Sequence, residues 1–219
     1  MKRGIPFLAL LLALACLLGG CGGEEERPFA GVPNPVATIE LTDGRSMRFE
    51  LFLADAPNTV ANFVELANSG FYDGLKFFRI LPGALIQSGD PRNSGTGNAG
   101  YTIQGEFSAN GIENGVAHTR GTISMCRQSG YDTASSQFFI MQGNYPEYNG
   151  QYAAFGRAMD AQSLQVIDEI ASAPVDSDFH PVGAAPKIAS VQVETQGYRY
   201  ESAKLELPEA EDEAAAENG

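Results

Sequence analysis

The amino-acid sequence predicts a mainly β domain, a closed antiparallel barrel of about eight strands covered by two α-helices. Apolar and polar residues alternate from 37 to 41, from 47 to 51 and again from 191 to 194, which is the period of half-buried strands. Between 71 and 156 the chain breaks into short apolar runs separated by glycine-rich or polar turns, as in antiparallel barrels. Apolar residues recur at helical spacing from Val60 to Ala67 and from Leu164 to Ile170. A chain of this length can bury one substantial core.

The first element is a β-hairpin. Alternation from Ala37 to Leu41 and from Met47 to Leu51 flanks Asp43-Gly44, a dipeptide typical of tight turns between antiparallel strands. This pattern predicts two paired strands at the start of the domain.

Local signals bound the two predicted helices. Asp55 offers an N-cap for the first helix, Pro57 suits its first turn, and Gly70 can end it. The second helix follows Asp160 and ends before Pro174. Each helix therefore has one apolar stripe to bury against the sheet.

The first 21 residues have the layout of a bacterial secretory signal. Lys2 and Arg3 precede the apolar run from Ile5 to Leu18, which is shorter than the roughly 20 residues of a membrane-spanning helix. The sequence Gly19-Gly20-Cys21 resembles a lipoprotein cleavage box, so we expect Cys21 to become the lipidated first residue. Cys16 lies inside the run and is expected to act as a small hydrophobe. A plain secretory signal with an incidental cysteine is the alternative.

Charge and composition divide the rest of the chain. The net charge of -13 argues against nucleic acid as a partner, because phosphate contacts need clustered Lys and Arg. Glu24, Glu25 and Glu26 lie at one end, and many further carboxylates lie in 201–219 at the other. Such segments have too little apolar content to fold. We expect a flexible tether over 22–35, a folded domain over 36–200 and an acidic disordered tail over 201–219. The protein is expected to be a monomer, exported and held outside the cytoplasmic membrane by its lipid.

Two segments carry the chemistry. Residues Phe77 to Asp90 place Arg79 and Gln87 among apolar residues, and Ser136 to Ile140 follow downstream. A guanidinium, an amide and an apolar floor can hold an extended peptide by its carbonyl groups while a ring fills a pocket beside it. Proline is the natural ring for such a pocket.

These segments belong to a larger set that resembles the cyclophilins, a family of peptidyl-prolyl cis-trans isomerases. The resemblance covers roughly residues 36 to 195 and implies the eight-stranded cyclophilin barrel, isomerase activity on proline-containing segments, and no cofactor or metal. Its segments, in chain order, are Phe77 to Asp90, Gly95-Thr96-Gly97, His118 to Met125, Ala134 to Ile140 and Asn149 to Gly156.

The resemblance also implies the site residues. Arg79 matches the catalytic arginine, Gln87 and Gln137 match glutamines that hold the substrate backbone, and Phe139 matches the floor of the proline pocket. The other predicted substrate-binding positions line the pocket or the edge of the groove: Phe78, Leu85, Cys126, Arg127, Tyr148 and Tyr152. Cys126 is expected to be mainly a packing residue, and Arg127 either contacts substrate carbonyls or remains solvated.

Three positions depart from the family pattern. Ala84 replaces the phenylalanine that forms one wall of the proline pocket, Phe78 replaces a histidine, and Glu147 lies where some members have tryptophan. Loss of the phenylalanine removes a large apolar surface. Either the pocket is wider and catalysis weaker, or Phe78, Tyr145 or Tyr148 fills the gap.

We expect structural roles, and not metal or phosphate binding, for the two histidines and for the glycine-rich segment 95–100. We expect His118 to make a structural hydrogen bond and His180 to lie in a loop, because neither has the spacing of a metal ligand. The segment 95–100 lacks the Lys and Ser/Thr of a phosphate-binding loop and is expected to flank the groove.

Three hypotheses remain at this point. The first is an active prolyl isomerase that speeds the folding of exported proteins, supported by Arg79, Gln87 and Phe139. The second is a membrane-anchored peptide-binding or chaperone module with little isomerase activity, supported by Ala84 and Phe78. The third, a purely structural surface protein, leaves the groove residues without a purpose.

Overall fold

A computed structural model describes residues 31–207 of the chain, and its dominant feature is one curled antiparallel sheet of eight strands with two α-helices. The predicted signal segment with Cys21, residues 22–30 of the predicted tether and residues 208–219 of the predicted tail lie outside the described residues. The strands are β1 (Val36–Leu41), β2 (Ser46–Leu51), β3 (Arg79–Leu81), β4 (Leu85–Ser88), β5 (Thr122–Met125), β6 (Phe138–Met141), β7 (Ala154–Ala158) and β8 (Ile188–Glu194). The helices are α1 (Pro57–Asn68) and α2 (Ala161–Ala171), with short 3₁₀ turns at Ser108–Asn110 and Pro146–Tyr148.

The sheet has the strand order β3-β4-β6-β5-β7-β2-β1-β8, which confirms the predicted fold class apart from its complete closure. Within the described residues β3 and β8 form the two ends of the ladder. The segment before β3 nevertheless reaches β8: the Phe77 amide donates to the Pro186 carbonyl at 2.9 Å, and the Ile188 amide donates to the Leu75 carbonyl at 2.8 Å. The barrel is therefore a curled sheet whose ends meet beside β3.

Strand register places the predicted site residues in one row. Arg79 on β3 pairs with Gln87 on β4, Gln87 pairs with Phe139 on β6, and Phe139 pairs with Ser124 on β5. Directly opposed residues of antiparallel strands point to the same face of the sheet. The pleat thus brings an arginine, a glutamine and a phenylalanine, far apart in sequence, to one surface.

The core lies on the other face of the same strands. Phe138, next to Phe139, is fully buried and meets Phe63 of α1 edge-to-face, with ring centroids 5.6 Å apart. Phe63 also packs against Tyr72 and Phe155, each at 5.2 Å. Alternation along β6 therefore ties the aromatic core to the site face, because successive side chains point in opposite directions.

The start of α1 differs from the sequence expectation. The N-cap residue is Ala56, without a side-chain cap bond, and Asp55 does not serve as the cap. Glu106 replaces it from a distant loop: its carboxylate accepts from the amides of Asn58 at 3.0 Å and Thr59 at 2.7 Å. Two of the free amides at the helix start are satisfied in this way.

The other local signals have the predicted roles. Pro57 occupies the first turn of α1, and Asp160 caps α2 by accepting from the Ser163 amide at 2.7 Å. Gly44 has a φ of 88° at the turn between β1 and β2, a conformation that favours glycine. Among residues 31–207, none of the helices is both long and apolar enough to cross a membrane.

The described part of the predicted tail is bound to the domain. Leu205 and Thr102 exchange backbone hydrogen bonds of 2.9 and 2.7 Å. Lys204 forms an ion pair with Glu65 at 3.1 Å, and Ser202 donates to the same carboxylate. Contacts with the domain thus continue past the predicted boundary at residue 200.

Candidate active site

Arg79 lies exposed at the edge of the site face. Within residues 31–207 its guanidinium makes no side-chain hydrogen bond or ion pair, so its donors are available to a ligand. Its positive charge lowers the pKa of Cys126 and of Tyr148, in both cases against a larger upward effect of burial. The arginine therefore acts electrostatically on both sides of the groove.

Two buried glutamines stand beside the arginine. The Gln87 Nε2 donates to Gln137 Oε1 at 2.9 Å, and the Gln137 Nε2 donates to the carbonyls of Gly95 at 3.0 Å and Gly97 at 2.8 Å. Gln137 is thereby held by the loop, and Gln87 is oriented by Gln137. Within the described chain the Gln87 Oε1 accepts no hydrogen bond, so this atom can accept one from a peptide N–H.

A buried carboxylate, Asp90, organises that loop. It accepts from the amides of Arg92 at 2.6 Å, Ser94 at 2.9 Å, Gly95 at 2.6 Å and Gly97 at 3.2 Å. Burial opposes ionisation, but these donors outweigh it and lower the pKa of Asp90. Sequence reasoning assigned Asp90 no role, although Asp90-Pro91 and the Asn93-Ser94-Gly95 that follow are residues typical of turns.

The candidate proline pocket is an apolar cluster next to Phe139. Its buried members are Ala84, Leu85, Phe139 and Met141, and the partly buried residues packed against them are Leu81, Cys126, Tyr145, Tyr148 and Tyr152. Tyr148 and Tyr152 meet the Phe139 ring edge-on, at 5.9 and 5.5 Å. Leu85, Phe139, Tyr148 and Tyr152, which the resemblance assigns to substrate binding, thus lie together in one cluster.

Tyrosines supply the aromatic surface beside Ala84. Tyr145 and Tyr148 pack against the cluster that contains Ala84, and their ring centroids are 5.7 Å apart. Phe78 is placed elsewhere: it is buried and lines a cavity beside Gly95. Of the three residues that could fill the gap, the two tyrosines therefore pack against the cluster that contains Ala84, and Phe78 is not among the residues that do.

His118 supports the pocket floor from behind. Its ring is stacked against Phe139 at 5.9 Å with an interplanar angle of 19°. Its Nδ1 lies 3.2 Å from Asn149 Oδ1, and its Nε2 lies 3.0 Å from Ser124 Oγ. Because an amide oxygen can only accept, Nδ1 carries the proton and Nε2 accepts from the serine. Burial lowers the pKa of His118, so the ring is neutral at pH 7 and makes the expected structural hydrogen bonds.

Arg127 is held in an aromatic cage instead of being freely solvated. Its guanidinium carbon lies 5.3 Å from the Phe107 ring, 5.2 Å from Tyr131 and 5.0 Å from Tyr152. Its Nε also donates to the Gln151 carbonyl at 3.0 Å. These contacts fix one edge of the groove through a cation–π interaction.

Cys126 joins the proline pocket to the adjoining cavity. It packs against the apolar cluster and also lines the cavity. Burial raises the pKa of this free thiol above its usual range, so it is protonated at neutral pH. A protonated thiol is a poor nucleophile, which fits a packing role.

The adjoining cavity has a volume of about 750 Å³. Its walls are the loops around 94–98 and 126–130, and Arg79, Gln87 and Gln137 border it. His180 and Leu207 also line it, and sequence reasoning missed both because they approach from distant parts of the chain. Among residues 31–207, no group of three or more His, Cys, Asp or Glu side chains is arranged to hold a metal ion.

The geometry forms an extended groove with one apolar pocket, one available guanidinium and one available amide oxygen. The family model described as cyclophilin type peptidyl-prolyl cis-trans isomerase/CLD matches residues 36–193. The chain belongs to the cyclophilin family. This assignment confirms the resemblance found in the sequence.

Similarity to individual proteins supports the same family assignment. Peptidyl-prolyl cis-trans isomerase B of Bacillus subtilis strain 168 is 47% identical over 117 residues, covering 53% of this chain and 78% of that protein. The peptidyl-prolyl cis-trans isomerase of Synechococcus elongatus is 44% identical over 131 residues, covering 60% and 85%. A Cryptosporidium parvum cyclophilin, crystallised in the presence of the dipeptide Ala-Pro, is 28% identical with a TM-score of 0.64 over 73% of this chain and 98% of that chain. This cyclophilin is thus a peptidyl-prolyl cis-trans isomerase by family.

Replacing Asp90 by Asn should destabilise the protein in a pH-dependent way. The folded state lowers the pKa of Asp90, so its stabilising contribution is complete above the unfolded value of about 3.9. The contribution is lost as the pH falls through the lower folded value. Urea unfolding of wild type and D90N between pH 7 and pH 3 measures it. The difference in unfolding free energy should shrink on acidification, and a difference that stays constant would contradict the assignment.

Replacing Tyr148 by Ala should weaken peptide binding, because Tyr148 supplies the aromatic surface beside Ala84. Loss of an aromatic contact worth about 1.4 kcal/mol raises KM for a short X-Pro peptide about tenfold. The control is Y148F, which keeps the ring and should retain the wild-type KM. Equal KM values for Y148A and wild type would show that this ring does not contact the substrate.

Proposed function

We propose that this cyclophilin accelerates X-Pro isomerisation in exported proteins, with Arg79 stabilising the twisted amide in an apolar groove. One observation carries the proposal: an exposed guanidinium without a side-chain partner in the described chain lies opposite Gln87, and Phe139 lies opposite Gln87 on the next strand. This is the arrangement that a proline-directed catalyst needs.

The chemistry requires no nucleophile. Rotation about a peptide bond has a barrier of about 18–20 kcal/mol because amide resonance is lost as the bond twists. In the twisted state the nitrogen lone pair can accept a hydrogen bond. A guanidinium that remains charged at any working pH can donate to that nitrogen or to the proline carbonyl, and the apolar surroundings strengthen this interaction.

The other residues position the peptide. The apolar cluster around Phe139 and Tyr148 takes the proline ring, and Gln87 Oε1 accepts from the peptide backbone. Because Gln87 is oriented by Gln137, which is held by two loop carbonyls, little ordering is needed when substrate binds. The pocket floor is similarly fixed by the stacked His118.

The proposed partners are proline-containing segments of unfolded exported proteins. A related cyclophilin was crystallised in the presence of Ala-Pro, which supports this ligand class. Uncatalysed X-Pro isomerisation takes tens to hundreds of seconds and can limit folding. A catalyst outside the cytoplasm would relieve that step for newly exported chains.

The proposed location rests on the N-terminal sequence. Lipidation of Cys21 would anchor the domain, as a monomer, to the outer surface of the cytoplasmic or another extracytoplasmic membrane. Residues 22–35 would then act as the tether between the membrane and the sheet.

A second candidate is a membrane-anchored peptide-binding or chaperone module with little isomerase activity. Ala84 in place of a phenylalanine and Phe78 in place of a histidine favour it, because both change the surroundings of the groove. The packing of Tyr145 and Tyr148 beside Ala84 favours the isomerase. The two candidates differ in whether bound peptide turns over.

Replacing Arg79 by Ala should reduce kcat/KM for an X-Pro peptide by about a hundredfold or more, the usual effect of removing a preorganised donor to the transition state. Stability should change little, because the side chain is exposed. NMR exchange spectroscopy on the full-length chain measures turnover, and urea unfolding measures stability.

The matched control is Arg157→Ala, which removes another exposed strand arginine, on β7. Turnover of R157A should equal that of wild type. Equal turnover in R79A and wild type would exclude the proposed role of Arg79. Peptide binding without turnover in the wild type would favour the binding module.

Replacing Cys21 by Ser should abolish lipidation and release the domain from membranes. Labelled palmitate incorporation and cell fractionation in a bacterial host that lipidates exported proteins provide the measurement. C16S and C126S are matched controls and should remain labelled and membrane-bound. Labelling of C21S at the wild-type level would show that this cysteine is not the anchor.

A further inference from the structure

The cavity beside Arg79 is cationic in a strongly acidic protein. Two arginines, Arg79 and Arg127, line it, and no Asp or Glu of the described chain does. His180 also lines it, with its Nδ1 3.8 Å from the Asp176 carboxylate. The whole chain has a net charge of -13. A positively charged cavity of about 750 Å³ suits an acidic peptide segment.

The C-terminal segment leads directly into this cavity. Lys204 is anchored to Glu65, and Leu205 pairs through its backbone with Thr102, which itself lines the cavity. Two residues later, Leu207 is part of the cavity wall. The last described residue therefore lies at the wall of this cavity.

The residues that follow are opposite in charge to the cavity and include a proline. Leu207-Pro208 is itself an X-Pro sequence, and Glu209, Glu211, Asp212 and Glu213 come next. We propose that residues 208–217 are an intramolecular ligand of this cavity, which competes with substrate peptides for access to Arg79. The proposal rests on the proposed function, because it assigns a regulator to the same groove.

Because the C-terminal segment belongs to the same chain, it can compete with substrate even if its intrinsic affinity for the cavity is weak. A segment joined by a short flexible linker has an effective concentration on the order of 1 mM. With an intrinsic Kd of about 0.5 mM, competition by such a segment raises the apparent KM about threefold. Because the attraction involves exposed charges, it weakens as salt shortens the screening length from about 10 Å at 0.1 M to about 3 Å at 1 M.

The test compares two full-length variants that each lose three carboxylates. E209Q/E211Q/E213Q removes three of the five carboxylates of the proposed ligand, and E24Q/E25Q/E26Q removes the same charge at the other end of the chain. In low salt, KM for a neutral X-Pro peptide should fall in the first variant only, by up to about threefold, with kcat unchanged. At about 1 M salt the difference should disappear. Equal KM values for wild type and E209Q/E211Q/E213Q in low salt would overturn the proposal.

A second readout is independent of catalysis. The amide NMR signals of Gly95, Gly97 and Thr102, which line the cavity, should shift in E209Q/E211Q/E213Q and remain at wild-type positions in E24Q/E25Q/E26Q. Unshifted signals in both variants would exclude the tail as occupant. If no chain shows turnover, the proposed function fails, and these signals still decide the occupancy.

The other occupant to distinguish is an acidic peptide from another protein. Titration of an acidic X-Pro peptide should give a lower Kd for E209Q/E211Q/E213Q than for wild type, because the tail no longer competes. The same Kd in both would mean that the cavity accepts acidic partners while the tail lies elsewhere, which contradicts the proposal.

Discussion

The site depends on one buried carboxylate, Asp90. Its oxygens bind the amides of a tight loop, and two carbonyls of that loop hold Gln137, which in turn orients Gln87 opposite Arg79. The arrangement leaves no room for larger side chains: a Cβ at Gly97 would lie 1.9 Å from the Asp90 carboxylate. A charged group surrounded by donors is costly to rearrange once buried, so it fixes the loop and everything that the loop holds.

The second constraint is the pleat of the sheet. Phe138 and Phe139 are neighbours on β6, yet one completes the aromatic core with Phe63 and the other forms the floor of the candidate proline pocket. A one-residue change of register would exchange these faces and destroy the core and the site together. Core packing therefore also specifies the position of the groove floor, to which His118 adds support from behind.

Tyrosine rings contribute to the apolar cluster that contains Ala84. Tyr145 and Tyr148, from a different segment of the chain, pack against this cluster with their ring centroids 5.7 Å apart. Their hydroxyl groups make this surface more polar than phenylalanine rings would, while the tyrosine rings keep it largely apolar. On the other edge of the groove, the Arg127 guanidinium lies against three aromatic rings, which restrict its position.

The sequence by itself determined the elements whose causes are local. The hairpin with its glycine turn, Pro57 in the first turn of α1 and the Asp160 cap of α2 depend on residues a few positions apart. The motif residues could also be found, because their order along the chain is that of a known family. Tertiary structure alone decided the contacts between distant segments. Glu106 caps α1 in place of Asp55, and Leu205 pairs with Thr102, because folding brings together groups that no local pattern relates. Backbone amides and charges buried by folding must find partners wherever the chain supplies them, and a linear sequence does not show where that is.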